Sequence, residues 1–212
     1  MTLFRLDASI QVEGSASRAL GDLIEKTWRE SETDAQVVRR NIGLEPLPSD
    51  AWALAVTANR TPEADQTPDQ LDAATLARTL VDELIDADAL LLTVPLYNFG
   101  VSQHLKTWVD LIITDPRMSS QPLKGKHAVL AIVRGGAYGP GTPRDGWDHA
   151  TAWILRILRD VWGLDVVVVE REFTLVGVNP ALDSFADLAA EMHRDADHLA
   201  VHHAQHLVSK AA

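Results

Sequence analysis

The sequence predicts an α/β fold, a parallel sheet of five strands with helices on both faces, and two observations carry that expectation. Residues 89–94, 128–133 and 166–170 are apolar runs of leucine or β-branched residues without polar alternation, as strands covered on both sides should be. Helix-like segments separate the strand candidates, and parallel strands need such crossover connections.

In chain order, residues 3–8 read as the first strand and residues 15–30 as a helix with Leu20, Leu23, Ile24 and Trp28 on one face. Residues 36–39 read as a modest edge strand. The stretch 43–67 is polar, carries prolines and is too long for an ordinary connection, which marks a functional or interface loop. Thr67-Pro68 opens the next helix, with threonine as cap and proline in the first turn, and Leu76, Leu80 and Leu84 form its buried stripe. The strand at 89–94 runs through PLYNFG into a helix ending near Ile112, and a last helix spans 184–208. No internal repeat interrupts this order.

The 212 residues suffice for one sizeable core, and no linker-like tract divides them, so one domain over 1–212 is expected. With 19 Lys+Arg against 30 Asp+Glu the formal charge is -11, which repels a phosphate backbone and argues against nucleic acid as a partner. The absence of cysteine removes disulfides, thiolate nucleophiles and iron–sulfur ligation, so redox chemistry would need a cofactor. The start, MTLFRLDASIQ, has neither a secretory pattern nor a membrane span, and a cytoplasmic protein without membrane association is expected.

In an open α/β sheet, ligands bind beyond the carboxyl ends of the strands. Three loops lie there. The first, SIQVEGSAS, delivers serine hydroxyls and helix N-terminal N–H groups to one small volume suited to an anion, although Ser15 is equally explained as a helix cap. It has no G-x-G-x-x-G and no P-loop lysine, so any phosphate would be held by neutral donors with Arg18 nearby. In the second, Pro95 to Gly100, proline stops the strand and the following amides lack sheet partners, while Leu96, Tyr97 and Phe99 offer apolar walls. A flat heteroaromatic ring with acceptors along one edge would satisfy them; the alternative is an ordinary loop whose aromatics cap the core. The third, RGGAYGPGTPRDG, is glycine-rich enough to lie directly against a ligand or to be a plain flexible turn.

The segments ASIQVEGSASRAL, VVRRNIGLEPLP, VPLYNFGVSQHLKTWVDLI, LKGKHAVLAIVRGG and GLDVVVVERE follow one another across nearly the whole chain. In these the sequence resembles the FMN-dependent NADH-azoreductases, also described as FMN-dependent NADH:quinone oxidoreductases, of the doubly wound flavodoxin-like fold. The YNF turn followed by S-x-x-L-K is the most specific match. The resemblance implies that Ser9, Ser15, Ala16 and Ser17 hold the FMN phosphate. It further implies that Pro95, Leu96, Tyr97, Asn98 and Phe99 lie along the isoalloxazine edge, and that Val133, Arg134, Gly135 and Gly136 close its other side. Phe99 and Tyr138 are the substrate contacts it points to. It also implies a homodimer.

The chemistry implied belongs to the cofactor, so no catalytic side chain is expected. NADH or NADPH gives hydride to FMN, and a quinone or azo compound then takes two electrons from the same place by a ping-pong mechanism. The chain departs from the family at Val133, where a hydroxyl is common, at Tyr138, where some relatives have histidine, and at 113–124, which is short and lacks an aromatic. A non-catalytic flavodoxin-like electron carrier is the alternative. A serine hydrolase is disfavoured because G-x-S-x-G is absent. His198, His202 and His206 share helical spacing, but on an expected solvated face no metal is assigned to them. Trp28 and Trp108 fall on apolar stripes and are expected in the core; Trp153 and Trp162 are open.

Overall fold

The computed structural model describes every residue except Thr33, Pro143 and Ala212, and every side chain except those residues, His206 and 208–211. Strands β1 (Thr2–Asp7), β2 (Gln36–Arg40), β3 (Ala89–Pro95), β4 (His127–Val133) and β5 (Asp165–Arg171) form one sheet in the order β2-β1-β3-β4-β5. All four pairings are parallel, with Leu6 opposite Leu92 and Val94 opposite Ile132 at the centre.

Because side chains alternate along a strand, the apolar runs feed two cores. On one face Leu3, Ala89, Leu91, Val129 and Ala131 meet α1 (Ala16–Ser31) and α6 (Ala186–Ala211) through Leu20, Ile24, Trp28, Ala196 and Ala200. On the other, Phe4, Leu6, Leu90, Leu92, Leu130 and Ile132 are covered by α2 (Ala51–Ala58), α3 (Pro68–Asp86), α4 (Gln103–Thr114) and α5 (Thr151–Leu155). Each fully buried Leu, Ile or Phe here is worth about 1.5–3 kcal/mol relative to exposure. The small residues Ala196, Ala200 and Ala204 on α6 allow that helix to lie close to the sheet.

Local chemistry sets the helix ends. The Ser15 side chain accepts from Arg18 N–H, and Ser102 accepts from Leu105 N–H. Thr67 and Gln70 form a reciprocal capping box, which fixes the start of α3 as its Thr-Pro signal predicts. At the other end of α3, Lys126 Nζ donates to the Leu84 and Ile85 carbonyls at 2.7 Å each. Burial holds this ammonium below its ordinary pKa.

The stretch 43–67 differs from the expected irregular loop. It contains α2 and a short 3₁₀ turn, Glu63–Asp65. The buried positions of α2 are Ala51, Ala55 and Ala58, whose small side chains give little hydrophobic periodicity to read. A second departure follows α5, which continues as a π-helical segment over Arg156–Val161. The last helix is preceded by a 3₁₀ segment, Pro180–Phe185, opened by Asn179.

Trp108 lies at 0% exposure, stacked on Phe4 at 6.2 Å between centroids and edge-on to Trp162 at 5.6 Å. Trp28 and Trp162 are equally enclosed, while Trp153 is partly buried against the same core. Replacing Trp108 by alanine is expected to cost about 3–5 kcal/mol, read as a lower denaturant midpoint. Trp108→Phe should cost much less, because the indole N–H it removes has no acceptor among the described residues.

Candidate ligand crevice

β1 lies between β2 and β3, and the chain leaves β1 over one face of the sheet through α1 but returns to β3 over the other through α2 and α3. The loops after β1 and β3 therefore flank the point at the carboxyl end where the winding reverses, which is where open α/β sheets place a ligand crevice. The loop after β4 flanks it.

The first loop is built around hydroxyls. Ser15 Oγ donates to Ser9 Oγ at 3.0 Å and lies 3.3 Å from Ser17 Oγ, so Ser15 links three buried serines. Gly14, at φ +69°, makes the left-handed turn into α1. The N–H groups of Ala16 and Ser17, at the open end of α1, find no acceptor among the described residues. Arg18 does not offer its charge to the volume in front of them. Its guanidinium donates to the Ser9 and Gln11 carbonyls at 2.8 and 2.7 Å and to the Asn41 side chain at 2.7 Å, and lies 3.6 Å from Asp7. Gly43 backs the same loop: a Cβ there would sit 2.0 Å from the Ser9 carbonyl oxygen.

The second loop is a two-residue hairpin turn. Tyr97 and Gly100 exchange hydrogen bonds of 3.1 and 2.9 Å, and Asn98 and Phe99 between them have φ of 47° and 67°. Gly100 is not the strained position, for a side chain there would meet nothing within 4 Å. The Asn98 and Phe99 N–H groups have no acceptor among the described residues. Pro95 ends β3 opposite Val133, and Leu96 N–H donates to the Val133 carbonyl at 2.9 Å. The Tyr97 hydroxyl reaches the first loop, accepting from Ile10 N–H at 3.2 Å and lying 3.4 Å from Ser9 Oγ.

In the third loop the structure departs from a bare glycine surface. A Cβ on Gly135 would lie 2.6 Å from Leu175, and one on Gly136 3.0 Å from the Arg144 guanidinium, so these glycines admit the chain's own side chains. Their carbonyls accept from Leu175 and Phe173 N–H, whereas their own N–H groups find no acceptor among the described residues. The Val133 side chain is buried in the core beside α6. Arg134 is 5% exposed and directs its guanidinium to Asp148, Glu170, Glu172 and the Thr151 hydroxyl. Burial opposes its charge, but hydrogen bonding and proximity to Glu170, with Asp148, outweigh it and hold the pKa above its ordinary value. Tyr138 faces Phe99 at 6.4 Å between centroids, and Trp147 meets Phe99 edge-on at 5.4 Å.

The structure thus brings Ser9, Ser15, Ser17 and Tyr97 into contact, and Phe99 beside Tyr138. It turns the Arg134 and Val133 side chains away into the protein. Sequence reasoning missed Asn41, Gly43, Trp147 and His149, whose N–H donates to the Phe99 carbonyl at 2.9 Å. The first two lie far from the loops they support along the chain, and only the aromatic at 147 offered a readable signal. His198 and His202 are exposed on α6, and the side chain of His206 lies outside the described residues.

A family model for the flavodoxin-like fold matches residues 1–199. An FMN-dependent NADH:quinone oxidoreductase of Frankia alni is 39% identical over 191 residues, 88% of this chain and 90% of that one. Another, from Streptomyces avermitilis, is 32% identical over 203 residues, 92% and 93% of the two chains. The chain belongs to the FMN-dependent NADH:quinone oxidoreductase family. Solved structures share the fold of this family member: an azoreductase of Bacillus anthracis superposes with a TM-score of 0.77 at 18% identity over 97% of this chain and 99% of that one. An FMN-dependent NADH-azoreductase of Bacillus anthracis, solved in complex with FMN, gives 0.74 at 14% identity over 96% and 100%.

In this family member Arg134 anchors the loop after β4, and its loss would leave buried carboxylates unpaired. Arg134→Gln is expected to destabilise by about 3 kcal/mol at neutral pH. Burial alone would raise the Asp148 pKa, but the Thr151 hydroxyl, the N–H groups of Thr151 and Ala150, and Arg134 lower it below its usual value. The stabilisation Asp148 gives is therefore present above an unfolded pKa of about 3.9 and is lost as pH falls through its lower folded value. Denaturant unfolding of wild type and variant should show the gap narrowing below about pH 4.

Proposed function

We propose that this chain is an FMN-dependent oxidoreductase that moves two electrons from NADH or NADPH to a quinone or an azo compound, and that residues 1–212 form one FMN-binding domain. The observation that carries the proposal is the set of uncommitted N–H groups on Ala16, Ser17, Asn98, Phe99, Gly135 and Gly136, at the carboxyl ends of β1, β3 and β4.

FMN fits this donor set. Its phosphate is an acceptor for the serine hydroxyls and for the free amides of α1, whose dipole favours an anion. Its ring offers carbonyl and ring-nitrogen acceptors to the remaining amides. In this reading Ser9, Ser15, Ala16 and Ser17 hold the phosphate, Pro95 to Phe99 border the ring, and Arg134, Gly135 and Gly136 close its other side through the main chain. Val133 acts through its carbonyl, which fixes Leu96. When bound, FMN supplies hydride acceptance and donation, which no side chain of the crevice provides. The protein's part is to orient and to exclude water: Phe99 and Tyr138 form the wall against which a flat substrate stacks. No catalytic side chain is assigned.

The names carried by the relatives favour an enzyme over a pure electron carrier. A homodimer belongs to the proposal. Trp52 on α2 and Ile113 on α4 are 49% and 45% exposed around one surface depression, apolar area that a second copy would cover. Among the described residues no helix is long and apolar enough to cross a membrane, and the cytoplasm is the proposed location.

The expected preparation is yellow and bleaches when NADH is added without oxygen; colour that persists would make the chain a carrier. Added FMN should raise the melting temperature by mass action. The Ser9→Ala, Ser17→Ala double variant should bind FMN about tenfold more weakly in a fluorescence titration, with its circular dichroism unchanged. Because donor and acceptor share the crevice, double-reciprocal plots should be parallel; intersecting lines would refute the shared site.

A further inference from the structure

Three arginines stand in or beside the ligand loops, and two of them are spent on structure. Arg18 braces loop carbonyls and Asp7, and Arg134 is enclosed by carboxylates. Arg144 is different. Its guanidinium lies 5.6 Å from the Tyr138 ring centroid, donates to the Tyr138 hydroxyl at 3.2 Å, and has no carboxylate partner among the described residues. In a chain with a formal charge of -11, an uncommitted cation at the ligand end is an unusual allocation.

Its position is defined from two sides. A Cβ on Gly136 would come within 3.0 Å of Arg144 Nη1, so the guanidinium lies against the bare backbone of the β4 loop. Tyr138 holds it by its ring and its hydroxyl, an arrangement that suits the planar guanidinium and would not suit an ammonium as well. The same Tyr138 faces Phe99, and Phe99 meets Trp147, which is 51% exposed. A cluster of three mutually tilted aromatic rings therefore ends in a positive charge whose remaining N–H groups have no acceptor among the described residues.

We propose that Arg144, positioned by Tyr138 and Gly136, is the specificity residue of the acceptor site and reads a fixed anion, a sulfonate or carboxylate, carried on the ring of an aromatic electron acceptor. The inference rests on the function proposed above and adds to it the class of acceptor. A guanidinium donates to such a group with charge-assisted hydrogen bonds. At a partly open site the gain is modest and sensitive to salt.

The test compares an azobenzene bearing a sulfonate with its uncharged sulfonamide twin, using FMN-loaded protein and NADH. In the wild type the ratio of kcat/KM, sulfonate over sulfonamide, should be about tenfold higher at low salt than in Arg144→Gln, and should fall as salt is added. Arg144→Lys should recover part of the preference, since it keeps the charge and loses the fork. Melting temperatures of both variants show that the fold is intact. Equal ratios in wild type and Arg144→Gln would overturn the inference while leaving the function standing. If the loss instead appears as a higher KM for NADPH relative to NADH, the residue reads the donor's phosphate and the acceptor assignment is wrong. Reduction of neither dye by the wild type would overturn this inference, and failure to reduce a quinone as well would sink the underlying function with it.

Discussion

The chain winds away from β1 in two directions, and the ligand end of the molecule is organised by that reversal. β1 is paired with β2 on one edge and β3 on the other, so its carboxyl end meets connections that diverge to opposite faces. A buried carboxylate secures this point. Asp7, the last residue of β1, accepts from the Arg5 guanidinium at 3.0 Å and from the Thr93 hydroxyl of β3 at 2.7 Å, and pairs with Arg18 at 3.6 Å. Arg5 in turn reaches Asp22 and Glu25 on α1. Burial works against the Arg5 charge, but the field of Asp7 and the bonds to Asp22 and Asp7 prevail, and its pKa stays above the ordinary value. Two strands, one helix and the first loop are thus held by one network. Gly21 belongs to it by absence, because a Cβ there would lie 2.6 Å from Thr93. Removing one partner from such a cluster exposes the others to the full cost of unpaired burial, which is why it specifies geometry more than it adds stability.

What the sequence made legible is what periodicity and caps encode. The strands β3, β4 and β5, the helix opened by Thr67-Pro68 and the two core tryptophans were readable because leucine, β-branched and proline signals act locally. But β5, expected to be covered on both faces, lies at the sheet edge with Val167 and Val168 only partly buried. α2 was not, because alanines at 51, 55 and 58 bury little area and imitate an indifferent pattern. At the site, the hydroxyls and the aromatic turn could be picked out by type, but their directions could not. Arg134 follows a buried strand and looks available in the sequence; Asp148, Glu170 and Glu172, contributed by two later segments, claim its side chain. Gly43 is invisible for the same reason, since its contact with Ser9 depends on how β1 and β2 pair.

The turn after β3 stores strain where the chain needs rigidity. Asn98 tolerates a left-handed conformation, but Phe99 at φ 67° is disfavoured by about 1–3 kcal/mol. It persists because several contacts fix it at once: the Tyr97–Gly100 pair on either side, His149 donating to its carbonyl, and Trp147 against its ring. The conformation has two results that a relaxed turn would not give. Adjacent amides are left without acceptors among the described residues, and Phe99 stays 40% exposed instead of entering the core. The outlier therefore motivates the assignment of this turn to ligand binding.

For an acidic protein to hold the FMN phosphate in the proposed site, local charge must be separated from global charge, and this fold offers distance and dipoles for that. Beyond a screening length of about 8 Å at physiological salt, the surface carboxylates weigh little on the crevice. Within that length the structure supplies neutral donors: the open N-terminus of α1, three serines and the amides of two turns. Such donors act on an anion only at contact range, so they favour a group that fits over one that is merely charged. A free lysine or arginine among them would attract any phosphate and would have to be desolvated beside the Arg5–Asp7 network. Committing Arg18 to carbonyls avoids that conflict, while among the described residues the Arg144 guanidinium held by Tyr138 keeps no carboxylate partner.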